Sequence, residues 1–205
     1  MNLLGFGAQF LDLDLDGRSE LFVTNGHIED VGLSGQPFRM PPLLLSQANG
    51  QFRPATAHPE DSYLGLRWTG RAVARCDWNA DGADDLFVGH LHEPVALLTN
   101  ETAPRGNSLS LRLSGKLSRD AVGTTVRIKA GTLSRSRQLT AGDGYQCTNE
   151  RVLNMGCGPE RQVDELEIQW PGGDSLRVTE IAVPGNYIAD EGKGRLFALP
   201  AAATP

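Results

Sequence analysis

Gly5-Phe6-Gly7-Ala8-Gln9-Phe10-Leu11-Asp12-Leu13-Asp14-Leu15-Asp16-Gly17-Arg18-Ser19-Glu20-Leu21-Phe22-Val23 recurs as Gly70-Arg71-Ala72-Val73-Ala74-Arg75-Cys76-Asp77-Trp78-Asn79-Ala80-Asp81-Gly82-Ala83-Asp84-Asp85-Leu86-Phe87-Val88, at a constant offset of 65 residues. Self-similarity at a fixed spacing is the signature of a repeated supersecondary unit. Each copy reads as a strand, an acidic turn and a second strand, and each is followed by an apolar echo, Pro41-Pro42-Leu43-Leu44-Leu45 and Pro94-Val95-Ala96-Leu97-Leu98. In the first copy the Asn49-Gly50 turn leads into Gln51-Phe52, which predicts a fourth strand. Four-stranded units in tandem suggest propeller blades, and a propeller needs about 4–8 of them to close. Two units imply either the C-terminal part of a longer protein or other elements covering the open edges.

The acidic turn carries the chemistry. Asp12, Asp14, Asp16 and Glu20 occupy the first, third, fifth and ninth places of a loop whose sixth residue is Gly17; Asp77, Asn79, Asp81 and Asp85 do the same around Gly82. Ca²⁺ takes 6–8 hard oxygens, alternate side chains on a tight curve converge on one centre, and glycine permits the sharp bend. The carbonyls of Arg18 and Ala83 would add one oxygen each. The twelfth place, a bidentate Glu in an EF-hand, is Val23 or Val88 within a strand, so these are EF-like loops inside β-hairpins. The alternative is a metal-free acidic surface turn, since Asp and Gly favour turns anyway. Crowding three carboxylates without a cation, and doing so twice at one offset, argues for the metal. Affinity in the range of extracellular modules follows, a dissociation constant of about 10⁻⁴–10⁻³ M.

Charge divides the chain. Residues 1–104 hold 14 acidic and 6 basic side chains, residues 105–161 hold 4 and 10, and residues 162–205 hold 7 and 3, for a net −6. The sign change places a boundary near Pro104-Arg105-Gly106-Asn107, giving a first unit over 1–104, a second over 105–199 and a tail over 200–205. The three cysteines, Cys76, Cys147 and Cys157, lack metal-ligand spacing. Buried thiols are favoured over a Cys147–Cys157 disulfide. No apolar run approaches the roughly 20 residues of a membrane-spanning helix, and no signal peptide opens the chain. Nucleic acid is a poor partner for an acidic protein whose basic residues lack interleaved aromatics.

With these stretches in view, the repeats resemble FG-GAP (integrin-α type, VCBS-like) propeller repeats. Phe22-Val23-Thr24-Asn25-Gly26-His27 with its following apolar echo resembles the repeats that precede an ASPIC/UnbV domain. The resemblance continues through Ser118-Arg119-Asp120-Ala121-Val122-Gly123, Ala141-Gly142-Asp143-Gly144-Tyr145, Asn149-Glu150-Arg151-Val152-Leu153 and Val163-Asp164-Glu165-Leu166-Glu167-Ile168-Gln169-Trp170-Pro171-Gly172-Gly173. Cys157 and Asn154-Met155 depart from the apolar or aromatic residues usual there. The cartilage acidic protein-like family so indicated implies calcium-binding blades and export to an extracellular, periplasmic or cell-surface location, with no established reaction.

The second half alternates: Leu109, Leu111, Leu113; Val126, Ile128, Ala130; Leu166, Ile168, Trp170. Period-two strands separated by glycine turns predict a β-sandwich, so the whole chain is expected to be all-β, a partial β-propeller of two blades followed by a sandwich-like ASPIC/UnbV domain. Trp170 shares its phase with Leu166 and Ile168 and reads as core. Tyr145 reads as a packed loop anchor or a ligand contact. Arg127, Lys129, Arg135 and Arg137 flank the Gly131-Thr132 turn. A two-residue turn spreads them over two faces; a three-residue loop gathers them on one cationic face that would dock an anionic glycan or the acidic first unit.

No nucleophile elbow, zinc-protease helix or phosphate loop is present in the sequence. The enzymatic candidate is a histidine group: His27 and His92 are equivalent under the 65-residue offset, with His90 nearby. These would bind a transition metal or serve as a general base. The function expected is a non-enzymatic, Ca²⁺-binding module for a protein or anionic glycan ligand. The alternatives are the histidine site and a purely structural cap.

Overall fold

The computed structural model describes residues 3–30, 32, 37–55 and 59–200. Among them fifteen strands form four sheets and there is no helix. The first sheet is the meander β1 (Gly5–Leu11), β2 (Glu20–Asn25), β3 (Leu43–Ala48) and β4 (Gln51–Pro54). The second is β5 (Gly70–Cys76), β6 (Asp85–His90) and β7 (Ala96–Leu98). The 65-residue repeat is kept down to the hydrogen-bond register. Gly5 pairs with Asn25 and Ala8 with Val23, as Gly70 pairs with His90 and Val73 with Val88, and the ladder is interrupted at the same place in both.

The two sheets meet face to face. Leu11 and Phe22 from the first bury against Val73, Leu86 and Val88 from the second, with Leu44, Ala96 and Leu98 around them. A Cβ on Gly7 would lie 2.5 Å from the Arg71 carbonyl oxygen and 2.8 Å from the Val73 nitrogen, so the close approach of β1 to β5 requires glycine there.

The second half is a sandwich. One sheet runs β10 (Leu133–Gln138), β9 (Thr125–Ala130), β12 (Gln162–Gln169), β13 (Ser175–Ala182). The other runs β11 (Val152–Gly158), β8 (Asn107–Ser114), β14 (Gly185–Asp190), β15 (Arg195–Ala198). All pairings are antiparallel except β14 with β8. Leu109, Leu111, Val126, Ile128, Leu166, Ile168 and Trp170 fill the space between the sheets, which settles Trp170 as core. The three cysteines are free, with Cys157 fully buried, so no Cys147–Cys157 disulfide is formed.

Leu133 pairs with Ala130 and Arg135 with Ile128, a two-residue turn at Gly131-Thr132. Arg127 and Lys129 therefore point outward, where they meet Glu167 at 3.5 Å and Glu165 at 3.3 Å. Arg135 and Arg137 lie on the opposite face, toward the first unit. A single cationic face does not exist on this hairpin.

Leu166 is fully buried at the centre of the sandwich. Leu166→Ala should cost about 2–5 kcal/mol, the usual penalty for a cavity of that size. A urea midpoint unchanged from the parent would contradict this packing.

Candidate metal centre

Both acidic loops adopt one backbone path. Leu15 and Gly17 have positive φ (59° and 86°), and so do Ala80 and Gly82 (56° and 85°). Gly accepts this region freely, whereas Leu and Ala pay for it, so the left-handed fourth residue is held by its surroundings. An apolar residue at that place carries no turn signal, so this conformation is not legible from residue type.

In the first loop, ligand oxygens of Asp12, Asp14 and Glu20 lie within 4.8 Å of one another. A Ca²⁺ with oxygens at 2.3–2.6 Å spans about 4.6–5.2 Å between opposite ligands, so the spacing fits such an ion. Among the described residues this is the one cluster of three or more His, Cys, Asp or Glu with that convergence. Asp12 is 3% exposed; its Oδ2 accepts the Gly17 N–H at 2.9 Å, while its Oδ1 is buried with no hydrogen-bond partner. An acceptor in that state costs roughly 1–3 kcal/mol if nothing satisfies it, more when charged. Glu20 accepts the Leu13 N–H at 3.0 Å, and Asp14 accepts the Asp16 N–H at 3.2 Å. Asp16 instead turns to Arg18, whose guanidinium pairs with its carboxylate and whose backbone N–H donates to it at 2.7 Å. Three of the loop's predicted side-chain ligands are thus brought together, and Asp16 stands aside with Arg18.

The second loop is satisfied differently. Asp77 accepts the Asp81 and Gly82 N–H groups, each at 2.9 Å. Asn79 accepts the Asp81 N–H at 3.2 Å. Asp81 accepts the Ala83 N–H at 3.0 Å and the Arg105 guanidinium at 2.9 Å. Asp85 accepts Asn100 N–H at 2.7 Å and Trp78 N–H at 3.1 Å. Every carboxylate oxygen here has a donor, and Arg105 supplies positive charge that a metal would otherwise bring.

Burial pushes the Asp12 carboxyl up to about 7, a rise opposed by the Gly17 N–H and by the Arg137 guanidinium. Burial likewise raises Glu20, and takes Asp77 up to about 6. All three environments disfavour an unneutralised carboxylate, which is the electrostatic character of a cation site.

The first loop leans on the second half of the chain. The Asp14 carbonyl accepts Gly106 N–H and the Leu15 carbonyl accepts Gly158 N–H, both at 2.8 Å; the Gly17 carbonyl accepts from the Arg135 guanidinium. Asp12 lies so close to β11 that a Cβ on Gly156 would fall 2.2 Å from its Oδ2. Nearby, a buried polar network joins the halves. Asn149 bonds Gln9 at 3.0 Å and accepts the Arg75 N–H at 2.7 Å, Arg75 pairs with Asp84 at 3.0 Å, and Asn154 donates to Asp84 at 2.9 Å. Residues 114–196 match the family described as ASPIC and UnbV. The match runs through the sandwich from the end of β8 to the start of β15, and the first loop docks on the β11 edge of this ASPIC/UnbV domain and on Arg135 of β10. No curated protein matches the chain.

Of the three candidate histidines, His27 and His90 have ring nitrogens in hydrogen bonds and His92 packs against an aromatic ring. His90 Nδ1 donates to the Pro94 carbonyl at 2.7 Å and its Nε2 accepts from Tyr63 Oη at 2.8 Å, leaving no lone pair for a metal. His27 Nδ1 bonds the Glu29 backbone at 2.8 Å, and His92 lies against Phe38 with ring centroids 5.5 Å apart. Tyr145 packs edge-on to Phe6 at 5.3 Å between centroids, the packed-anchor arrangement. The Asn100-Glu101-Thr102 sequon is held inward, its Asn100 amide donating to the Leu13 carbonyl at 3.0 Å.

The raised Asp12 value has a pH consequence in chelator. A folded-state value above the ordinary 3.8 contributes stability that is present below pH 4 and is lost as pH climbs toward 7. Between pH 5 and 7.5 the metal-free parent should lose on the order of 2–3 kcal/mol relative to Asp12→Asn, read by urea denaturation. Parallel profiles for the two proteins would contradict this.

Proposed function

We propose that the chain is a non-enzymatic, calcium-stabilised β-module of the exported binding or adhesion type, with two FG-GAP-like propeller blades carried beside an ASPIC/UnbV domain. The observation that carries the calcium reading is the buried, unpartnered Asp12 Oδ1 within a three-carboxylate convergence. A divalent ion would satisfy that oxygen and neutralise its neighbours, holding the bend between β1 and β2; it would not activate a nucleophile. Asp12, Asp14 and Glu20 would hold the ion. The second loop, with all its oxygens already paired and Arg105 on Asp81, is the weaker site.

The blade reading is supported by how the two sheets pack. The face of the second sheet that carries Val73, Leu86 and Val88 buries against Leu11 and Phe22 of the first. Under the 65-residue offset its counterpart on the first sheet carries Ala8, Leu21 and Val23, and with Phe10 (55% exposed) and Phe52 (40%) that face is apolar and open. A face built like a covered one suits a further sheet of the same kind.

The ligand is proposed to be a protein, ahead of an anionic glycan. The outward basic residues of β9 are neutralised by Glu165 and Glu167, and Arg135 and Arg137 face the first unit, so neither pair offers a glycan a free cationic platform. The non-enzymatic reading is supported by His27, His90 and His92, whose rings engage Glu29, Pro94 with Tyr63, and Phe38.

Calcium at tenfold excess over the dissociation constant should add about 1.4 kcal/mol for an occupied loop, raising the melting temperature over that in chelator. Asp14→Ala should remove most of this gain, whereas Asn79→Ala should leave most of it. Identical melting curves in calcium and chelator for the parent protein would refute the proposal.

A further inference from the structure

Both loops bend alike, yet only the first has three backbone carbonyls gripped by the other half of the molecule. Gly106 N–H donates to Asp14, Gly158 N–H to Leu15 and the Arg135 guanidinium to Gly17. These carbonyls are interleaved with the converging side chains of Asp12, Asp14 and Glu20, so the path that places the ligands also places the docking acceptors. The second loop also meets the second half of the chain at its bend, but through an N–H and side chains and not through its carbonyls: Asp77 N–H donates to Glu150 at 3.1 Å, Arg105 pairs with Asp81 at 2.9 Å, and a Cβ on Gly82 would lie 2.5 Å from Ser108 Oγ.

Asp12 connects the two roles. Its Oδ2 is tied to the Gly17 N–H, its Oδ1 is buried without a partner, and Gly156 of β11 leaves room for the carboxylate where any side chain would collide. A cavity of about 90 Å³ opens here, lined by Asp12, Gly17, Arg135, Arg137, Met155 and Gly156. The buried, unpaired oxygen is therefore at the seam between the two halves. Without an ion, three acidic groups repel one another at this seam, and the left-handed Leu15 must be held against its own preference. An ion that draws the carboxylates together fixes the loop in the shape the domain reads.

We propose that a divalent cation in the first loop acts as a clasp between the blade pair and the ASPIC/UnbV domain, ordering the Asp14, Leu15 and Gly17 carbonyls that the domain's Gly106, Gly158 and Arg135 hold. This rests on the calcium reading of the loop given above. It goes further by making cation occupancy control how firmly the two halves are joined, through one loop and not the other.

Amide hydrogen exchange on the whole chain tests this, with calcium uptake measured by calorimetry on the same samples. In calcium, exchange at Gly106 and Gly158 should slow about tenfold or more over chelator, while the Val163 and Leu166 amides inside the sandwich change far less. Glu20→Gln keeps an acceptor for the Leu13 N–H but removes a charge, and should abolish the calcium-dependent protection; Asn79→Ala should retain it. Should Glu20→Gln fail to fold, the parent protein with and without calcium remains decisive. Calcium uptake with unchanged exchange at Gly106 and Gly158 overturns the clasp and leaves the calcium reading standing. Absence of any uptake overturns both.

Discussion

A carboxylate oxygen without a hydrogen-bond donor, sealed between a tight bend and a neighbouring strand, is the constraint around which this molecule is arranged. Asp12 cannot be charged there without compensation, and the surrounding groups supply only part of it. The Gly17 N–H takes one oxygen and Arg137 adds a distant positive charge. Burial still dominates and raises the carboxyl far above its ordinary range. What remains uncompensated is the demand a hard divalent ion meets, and the positions of Asp14 and Glu20 match that demand.

The seam between the halves is polar, unlike the two hydrophobic cores on either side of it. Gln9, Asp84, Asn149 and Asn154 are all buried, and each is bonded across the boundary. A buried polar network of this kind contributes little net energy but tolerates only one relative placement, because any slip leaves donors and acceptors unmatched in a low dielectric. The apolar interface between the first two sheets supplies adhesion; the polar seam supplies orientation.

Much of this architecture was legible in the residues. The 65-residue repeat predicted two hairpins with the same register, and the period-two runs predicted the sandwich and the inward Trp170. What separated the two loops was not legible. Their ligand patterns are almost identical, yet Arg105 reaches Asp81 while Gly156 makes room for Asp12, and both facts depend on residues far away in the chain. The Gly131-Thr132 hairpin was ambiguous by one residue, and a shift of one residue exchanges faces, so only the pairing of Arg135 with Ile128 sent Arg135 and Arg137 inward. A signal for the seam was present: Gln9 stands in the inward phase of β1 between Gly7 and Leu11, where a polar side chain needs a partner. The histidine equivalence at His27 and His92, by contrast, marks the repeat, and the two rings rest on different neighbours, Glu29 and Phe38.

Asp12, Asp14 and Glu20 are proposed to close around a divalent ion at the seam. Anomalous diffraction from crystals grown in calcium, or in a lanthanide substituting for it, tests this most directly. The account predicts a single strong peak within about 2.3–2.6 Å of carboxylate oxygens from all three residues. A water or featureless density at that bend, with Asp12 Oδ1 still lacking a partner, would contradict it.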